Sequence, residues 1–185
     1  MIFARSPRLL LRRPRPGDLE GLLPSWSDPE MTRYTGAKAD PRAFLEQLIA
    51  DMLAKAPGES EPGGPWYQYV IERAADGALI GDLGAGFGVP GERQVELGYR
   101  IHPAHQRQGY AREAVAALID HLAAAHDIHR FVALAAAPNA ASRAVLDSLG
   151  FRLEGEFRQS FWCNGAWLDD AYYALLAEEW HAGRG

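Results

Sequence analysis

The sequence predicts a mixed α/β (α+β) fold: a central, mostly antiparallel sheet flanked by helices. Three observations predict it. Strand patterns at 67–72, 79–87 and 94–101 follow one another, separated by the turn signals Asp76-Gly77 and Pro90-Gly91. An amphipathic helix pattern at 109–125 then leads into a short apolar run at 131–135. A second helix pattern at 139–149 leads into strand patterns at 151–158 and 170–176. At 185 residues and 48% hydrophobic content, the chain is expected to form a single domain over 1–185.

Each element has a local reason. The run Arg8-Leu9-Leu10-Leu11-Arg12 reads as a first strand with solvated ends, stopped by Pro14, Pro16 and Gly17. Asp18 is a candidate cap for a helix at 19–25. Asp40 and Pro41 mark the start of another, in which Phe44, Leu45, Leu48, Ile49, Met52 and Leu53 keep helical spacing. Residues 57–65, rich in Pro, Gly and Glu, read as a loop. In the helix expected at 109–125, Ala111, Ala114, Val115, Leu118, Ile119 and Leu122 form the apolar face, while Arg112, Glu113 and Asp120 lie off it. Gly150 suits the C-terminal cap of the helix before it.

Composition excludes several functions. A net charge of −5 argues against a nucleic-acid binder, which would show a basic excess. The one cysteine, Cys163, permits no disulfide within the chain and no Cys-rich metal site. No His/Asp/Glu spacing suggests a metal. The first five residues lack the apolar stretch of a signal peptide, and nowhere do ~18 apolar residues run together. A soluble, cytoplasmic protein without membrane or nucleic-acid partners is expected.

The segment that carries chemistry runs from Glu96 to Ala111, a strand leading through a glycine-bearing loop into a helix. A helix start leaves N–H groups unpaired and carries partial positive charge, so a pyrophosphate can take up those donors. Small residues at Gly109 and Ala111 let the backbone approach phosphate oxygens. Neither Gly-x-Gly-x-x-Gly nor a Walker loop is present. Glycine content alone does not separate such a cradle from an ordinary strand-to-helix turn.

Through Gln106, Arg107, Gln108, Gly109, Tyr110 and Ala111 the chain resembles the GNAT acetyltransferase superfamily, whose acyl-CoA signature is Gln/Arg-x-x-Gly-x-Gly/Ala. Further blocks extend the resemblance: Pro138-Asn139-Ala140-Ala141-Ser142, followed by Leu149-Gly150-Phe151, looks like the second GNAT block. Ser27-Asp28-Pro29-Glu30, Tyr34-Thr35-Gly36, Glu96-Leu97-Gly98-Tyr99, and a tail with Gly165, Asp169, Tyr173, Glu179 and Trp180 look like the RimJ/RimL branch. The resemblance implies acetyl-CoA as co-substrate, no metal, and an amine acceptor, either a protein N-terminus or a small molecule. A homodimer is left open. It also implies that the backbone of Tyr99, Arg100 and Ile101 pairs with the pantetheine arm, and that residues 106–111 hold the pyrophosphate. Asn139 should contact the cofactor near the pantetheine amide, and Ser142 should hydrogen-bond the departing thiolate. Arg112 and Arg143 depart from the branch, which often has Thr and Asn there.

Glu96 is the candidate base. Strand alternation places it with Gly98 and Arg100, and Gly98 is expected to leave space beside it for a substrate. A plain ion pair of Glu96 with Arg100 or another cation on a solvated face is the alternative. Ser142 is the candidate acid, or else a local cap partner, and Asn139 is an N-cap, a cofactor contact or both. His102 and His105 read as loop histidines. Trp26, Tyr34, Trp162 and Trp167 are candidates for the acceptor groove, with core packing as the alternative. A different class of function, an acyl-CoA-binding sensor without turnover, also fits these motifs.

Overall fold

The computed structural model describes residues 1–55, 66–87 and 92–183. The loop expected at 57–65 and the turn at Pro90-Gly91 lie outside them. Among the described residues the elements are β1 (Ile2–Arg5), β2 (Leu9–Arg12), α1 (Leu19–Ser27), α2 (Pro29–Thr32), α3 (Pro41–Ala54), β3 (Tyr67–Arg73), β4 (Leu79–Phe87) and β5 (Gln94–Ile101). They continue with α4 (Tyr110–Ala125), β6 (Arg130–Ala136), α5 (Ala140–Ser148), β7 (Arg152–Cys163), β8 (Ala166–Leu176) and α6 (Ala177–Ala182). Short 3-10 turns occupy Pro16–Asp18 and Pro103–His105.

The eight strands form one sheet in the order β1-β2-β3-β4-β5-β6-β8-β7. Only β5 and β6 run parallel, because α4 carries the chain across between them. The expected mostly antiparallel sheet with flanking helices is what the chain forms.

Helix α4 covers one face of the sheet. Val115, Leu118, Ile119 and Leu122 are fully buried against Tyr69, Leu83, Val95 and Phe131. Each such aliphatic side chain contributes about 1.5–3 kcal/mol of burial free energy. The other face is covered over its first strands by α1 and α3, through a small cluster around Leu22, Leu45 and Val70.

Several boundaries depart from the sequence expectation. The first strand has a partner, β1, that its short mixed run did not announce. Its end is not solvated: Arg12 is 3% exposed and donates to both carboxylate oxygens of Asp18 at 2.8 Å, and also to Glu72. Asp18 therefore serves as an ion-pair partner and makes no side-chain cap for α1. Asp40 does cap α3, accepting from the Ala43 N–H at 3.0 Å. The β7–β8 hairpin is longer than expected because Asn164 and Gly165, both at positive φ (50° and 84°), make a tight hairpin turn. Helices α2 and α6 are too short for a periodic signal.

Candidate active site

The site begins where two parallel strands part. β5 pairs with β4 from Val95 to Ile101, but it pairs with β6 only at Gln94, Val95 and Glu96. Beyond Glu96, β6 continues along β8 as far as Ala136. The β5 backbone from Leu97 onward is thus left without a strand on its β6 side, and the two strands enclose a wedge with Glu96 at its apex. Tyr99, Arg100 and Ile101 lie along the open edge, as a strand-like ligand arm would require. The Ile101 carbonyl already accepts from the Gln106 side chain at 3.1 Å.

At the open end of the wedge lies the loop into α4. Gly109 has φ +77° and precedes the helix without any side-chain cap for its N-terminus. Arg107 also adopts a positive φ, 59°. A side chain in that left-handed region costs about 1–2 kcal/mol relative to the right-handed one. A Cβ at position 109 would come within 4 Å of only one atom, Arg8 Nη2, at 3.5 Å. No side-chain cap takes up the first-turn amides and the space beside Gly109 is uncrowded, so the residues present fit a pyrophosphate.

Side chains in this loop do other work. Gln106 reaches Ile101 and Met31. Tyr110 is 7% exposed, packs in the core under the Arg8 guanidinium (4.5 Å from its ring centre), and so offers its N–H only. Gln108 presents its carbonyl to Arg8 at 3.0 Å, and Ala111 packs against the core. Arg8 further pairs with Glu113 at 2.6 Å, which fixes the start of β2 against the cradle. An open cleft of about 990 Å³ is lined by Arg8, Gly109 and Arg112 and, farther along α4, by Trp180. Sequence reasoning missed Arg8, because its partners lie about a hundred residues away.

Across the wedge from β5, Asn139 accepts from the Ser142 N–H at 3.2 Å and caps α5. Ser142 Oγ lies 2.9 Å from the Tyr99 hydroxyl, which also donates to the Ser142 carbonyl at 3.0 Å. Burial pushes the Tyr99 phenol up to about 12, so it keeps its proton at neutral pH. Arg143 turns away to the Tyr173 hydroxyl and the Ala137 carbonyl, both at 3.1 Å.

The opposite face of β5 carries Glu96, Gly98 and Arg100, as alternation requires. Partial burial, and secondarily the charge of Asp170, hold the Glu96 carboxyl above the usual glutamate range. Asp170 shares this face through the register Glu96–Val132–Ala174 and the alternation along β8. Two sequence expectations change here. Arg100 is not a partner of Glu96: its guanidinium lies 3.8 Å from the Trp26 ring centre, donates to Thr35 Oγ1 at 3.0 Å, and feels the charge of Asp82 opposite it. The space over Gly98 is not empty either, since the Trp66 indole lies there, 3.0 Å from where a Cβ would stand.

Trp26 donates to Asp82 Oδ2 at 3.0 Å, and Gln68 donates to Asp82 Oδ1 at 2.6 Å. Asp82 is 3% exposed, and burial raises its carboxyl against the pull of Arg100. Trp26 thus holds Arg100 and Asp82 together, with Phe44 alongside at 4.9 Å. Tyr34 is half-buried, with Arg33 over its ring. Trp162 and Trp167 are 56% and 55% exposed near the hairpin tip and contact each other edge to face. That tip joins the α2 segment through Asn164, which donates to the Thr32 carbonyl and accepts from the Ala37 N–H. His102 and His105 sit in the 3-10 turn, where His102 accepts from the Ala104 N–H. Cys163 is buried and donates to the Arg33 carbonyl. Among the described residues, no cluster of His, Cys, Asp and Glu could hold a metal ion, and no helix is long and apolar enough to cross a membrane.

The acetyltransferase (GNAT) domain family matches residues 8–152, and the chain belongs to that family. It is 31% identical over 171 residues to the uncharacterized N-acetyltransferase YoaA of Bacillus subtilis, covering 92% of this chain and 94% of that one. Among solved structures it resembles Mycobacterium smegmatis RimJ in complex with CoA-disulfide (27% identity, TM-score 0.79, 92% of this chain and 83% of that one). It shares the fold of a spermidine N-acetyltransferase from Vibrio cholerae in complex with CoA and spermine (21% identity, TM-score 0.81, 95% and 99%).

Proposed function

We propose that this chain is an acetyl-CoA-dependent N-acetyltransferase of the RimJ/RimL-like branch, working as one domain over residues 1–185. It transfers acetyl to a primary amine, a protein N-terminal α-amine or a small-molecule amine, by direct attack in a ternary complex. The observation that carries this reading is the wedge between β5 and β6, with an uncapped helix N-terminus at its open end and a raised carboxyl at its apex. The likeness to a RimJ that binds CoA-disulfide supports the cofactor.

In this reading the amides around Gly109 hold the pyrophosphate, with Arg8 and Arg112 beside them. The free edge of Tyr99, Arg100 and Ile101 takes the pantetheine arm, which brings the thioester to the apex. Glu96 removes the proton of the attacking amine. Its raised pKa makes it a stronger base than an ordinary glutamate. Ser142, backed by the protonated Tyr99, donates toward the departing sulfur from the other side of the sheet, and Asn139 fixes the turn that presents Ser142. Most of the acceleration comes from positioning and from donors aimed at the developing charge.

The test is a thiol-release screen with acetyl-CoA against amines and N-terminal peptides, with products identified by mass spectrometry. Acetylated product with stoichiometric free thiol is the expected result. Tight CoA binding with no release against any amine would favour the sensor reading instead.

A further inference from the structure

β4 and β5 carry three glycines on the Glu96 face: Gly84, Gly86 and Gly98, with Gly84 and Gly98 directly opposite each other. The Trp66 indole lies flat over all three. A Cβ would stand 2.1 Å from the ring at Gly84, 2.7 Å at Gly86 and 3.0 Å at Gly98. Such distances are far inside van der Waals contact, so only glycine lets the ring sit this close to the sheet. Trp66 is held there by its N–H, which donates to Gln68 Oε1 at 2.9 Å, and Gln68 is in turn tied to the buried Asp82. Trp66 as a residue nevertheless stays 38% exposed. The point where a Gly86 Cβ would stand is 2.7 Å from indole Cε3 and 3.8 Å from Glu96 Cβ, so the ring and the carboxylate stem are immediate neighbours.

An anchored, exposed aromatic face beside one carboxylate, with a second (Asp170) on the same sheet face, is the chemistry that holds an ammonium ion. We propose that Trp66 is the floor of the acceptor site, and that with Glu96 and Asp170 it selects an acceptor that arrives as a cationic ammonium. This rests on the acetyltransferase reading and adds the acceptor's charge class to it. Arg100, the nearest cation on β5, does not oppose it, because it is stacked on Trp26 and faces Asp82. Glu96 then removes one proton from the bound ammonium and leaves the neutral amine in place, and the second proton on nitrogen leaves with the CoA thiol once the C–N bond has formed and the C–S bond has broken.

The experiment titrates choline, and separately its neutral isostere with carbon in place of nitrogen, into the full chain saturated with CoA. Choline should bind about tenfold tighter, the size of a desolvated cation–π contact. Trp66→Leu should erase the preference, Trp66→Phe should keep most of it, and Asp170→Asn should weaken choline binding without repacking the ring. CoA affinity, measured in the same samples, reports folding. Equal binding of both probes to the wild type, or a preference that survives Trp66→Leu, overturns the proposal while thiol release continues to support the parent reading. Failure to bind CoA would instead remove the parent reading. The seating itself is checked by Gly84→Ala, which should destabilise the chain with Trp66 present and cost little in a Trp66→Ala background.

Discussion

The two faces of β5 are built by different means. On the cofactor side, the strand edge, the loop and the first turn of α4 come from one continuous stretch of chain and offer mainly backbone groups, with Arg8 and the α5 start at Asn139 and Ser142 added from elsewhere. On the acceptor side, Glu96 and Arg100 are the charged groups from that stretch. Their surroundings come from the loop before β3, from β4, from α1 and from β8. A backbone site tolerates side-chain change and is sensitive to conformation. A side-chain site behaves in the opposite way, so the two faces should separate in mutant kinetics.

The largest separation is expected at Glu96. Glu96→Gln should lower turnover about 100-fold or more and leave acetyl-CoA affinity nearly unchanged. Steady-state rates with direct CoA titration check this, and an unaltered pH–rate profile would remove Glu96 from the mechanism. Next comes Asp82→Ala. It strips the partner from the Trp26 and Gln68 donors and leaves the Arg100 charge uncompensated, for an expected loss of about 3 kcal/mol in denaturant unfolding. Gly109→Val should do the reverse of Glu96→Gln. The φ of +77° strains any side chain there, so affinity for acetyl-CoA should fall about tenfold while the acceptor KM stays within about twofold.

Smaller effects sharpen the acceptor side. With Glu96 as the proposed base, activity should be lost as pH falls through its raised pKa, and the acid limb should lie above the ordinary glutamate range. Asp170→Asn removes a like charge, eases ionisation of Glu96 and should move that limb to lower pH. The move should be modest, because burial is the larger cause. Trp162→Ala should raise the acceptor KM by only about two- to threefold, with the acetyl-CoA KM unchanged, since its ring is more than half exposed. Equal rises in both would indicate a folding defect.

The legibility of the site follows the same division. The ends of β4 and β5, the start of α4 after Gly109 and the Asn139 cap were all readable from short-range signals. Trp66 was not readable. It follows a Pro/Gly-rich segment and carries no periodic signal, and the three glycines that seat it look like ordinary strand glycines until β4 and β5 are in register. Arg12 looked like a solvated strand end because Asp18 read as a helix cap and its other partner, Glu72, is sixty residues away.

The sequence by itself determined the strand–loop–helix that offers backbone donors, because φ/ψ preference, capping and amphipathic spacing act within a few residues. Tertiary structure alone decided what stands beside Glu96. Burial of Asp82, seating of Trp66 and the approach of Asp170 depend on strand register and on desolvation by distant segments, and neither is a local property of the chain.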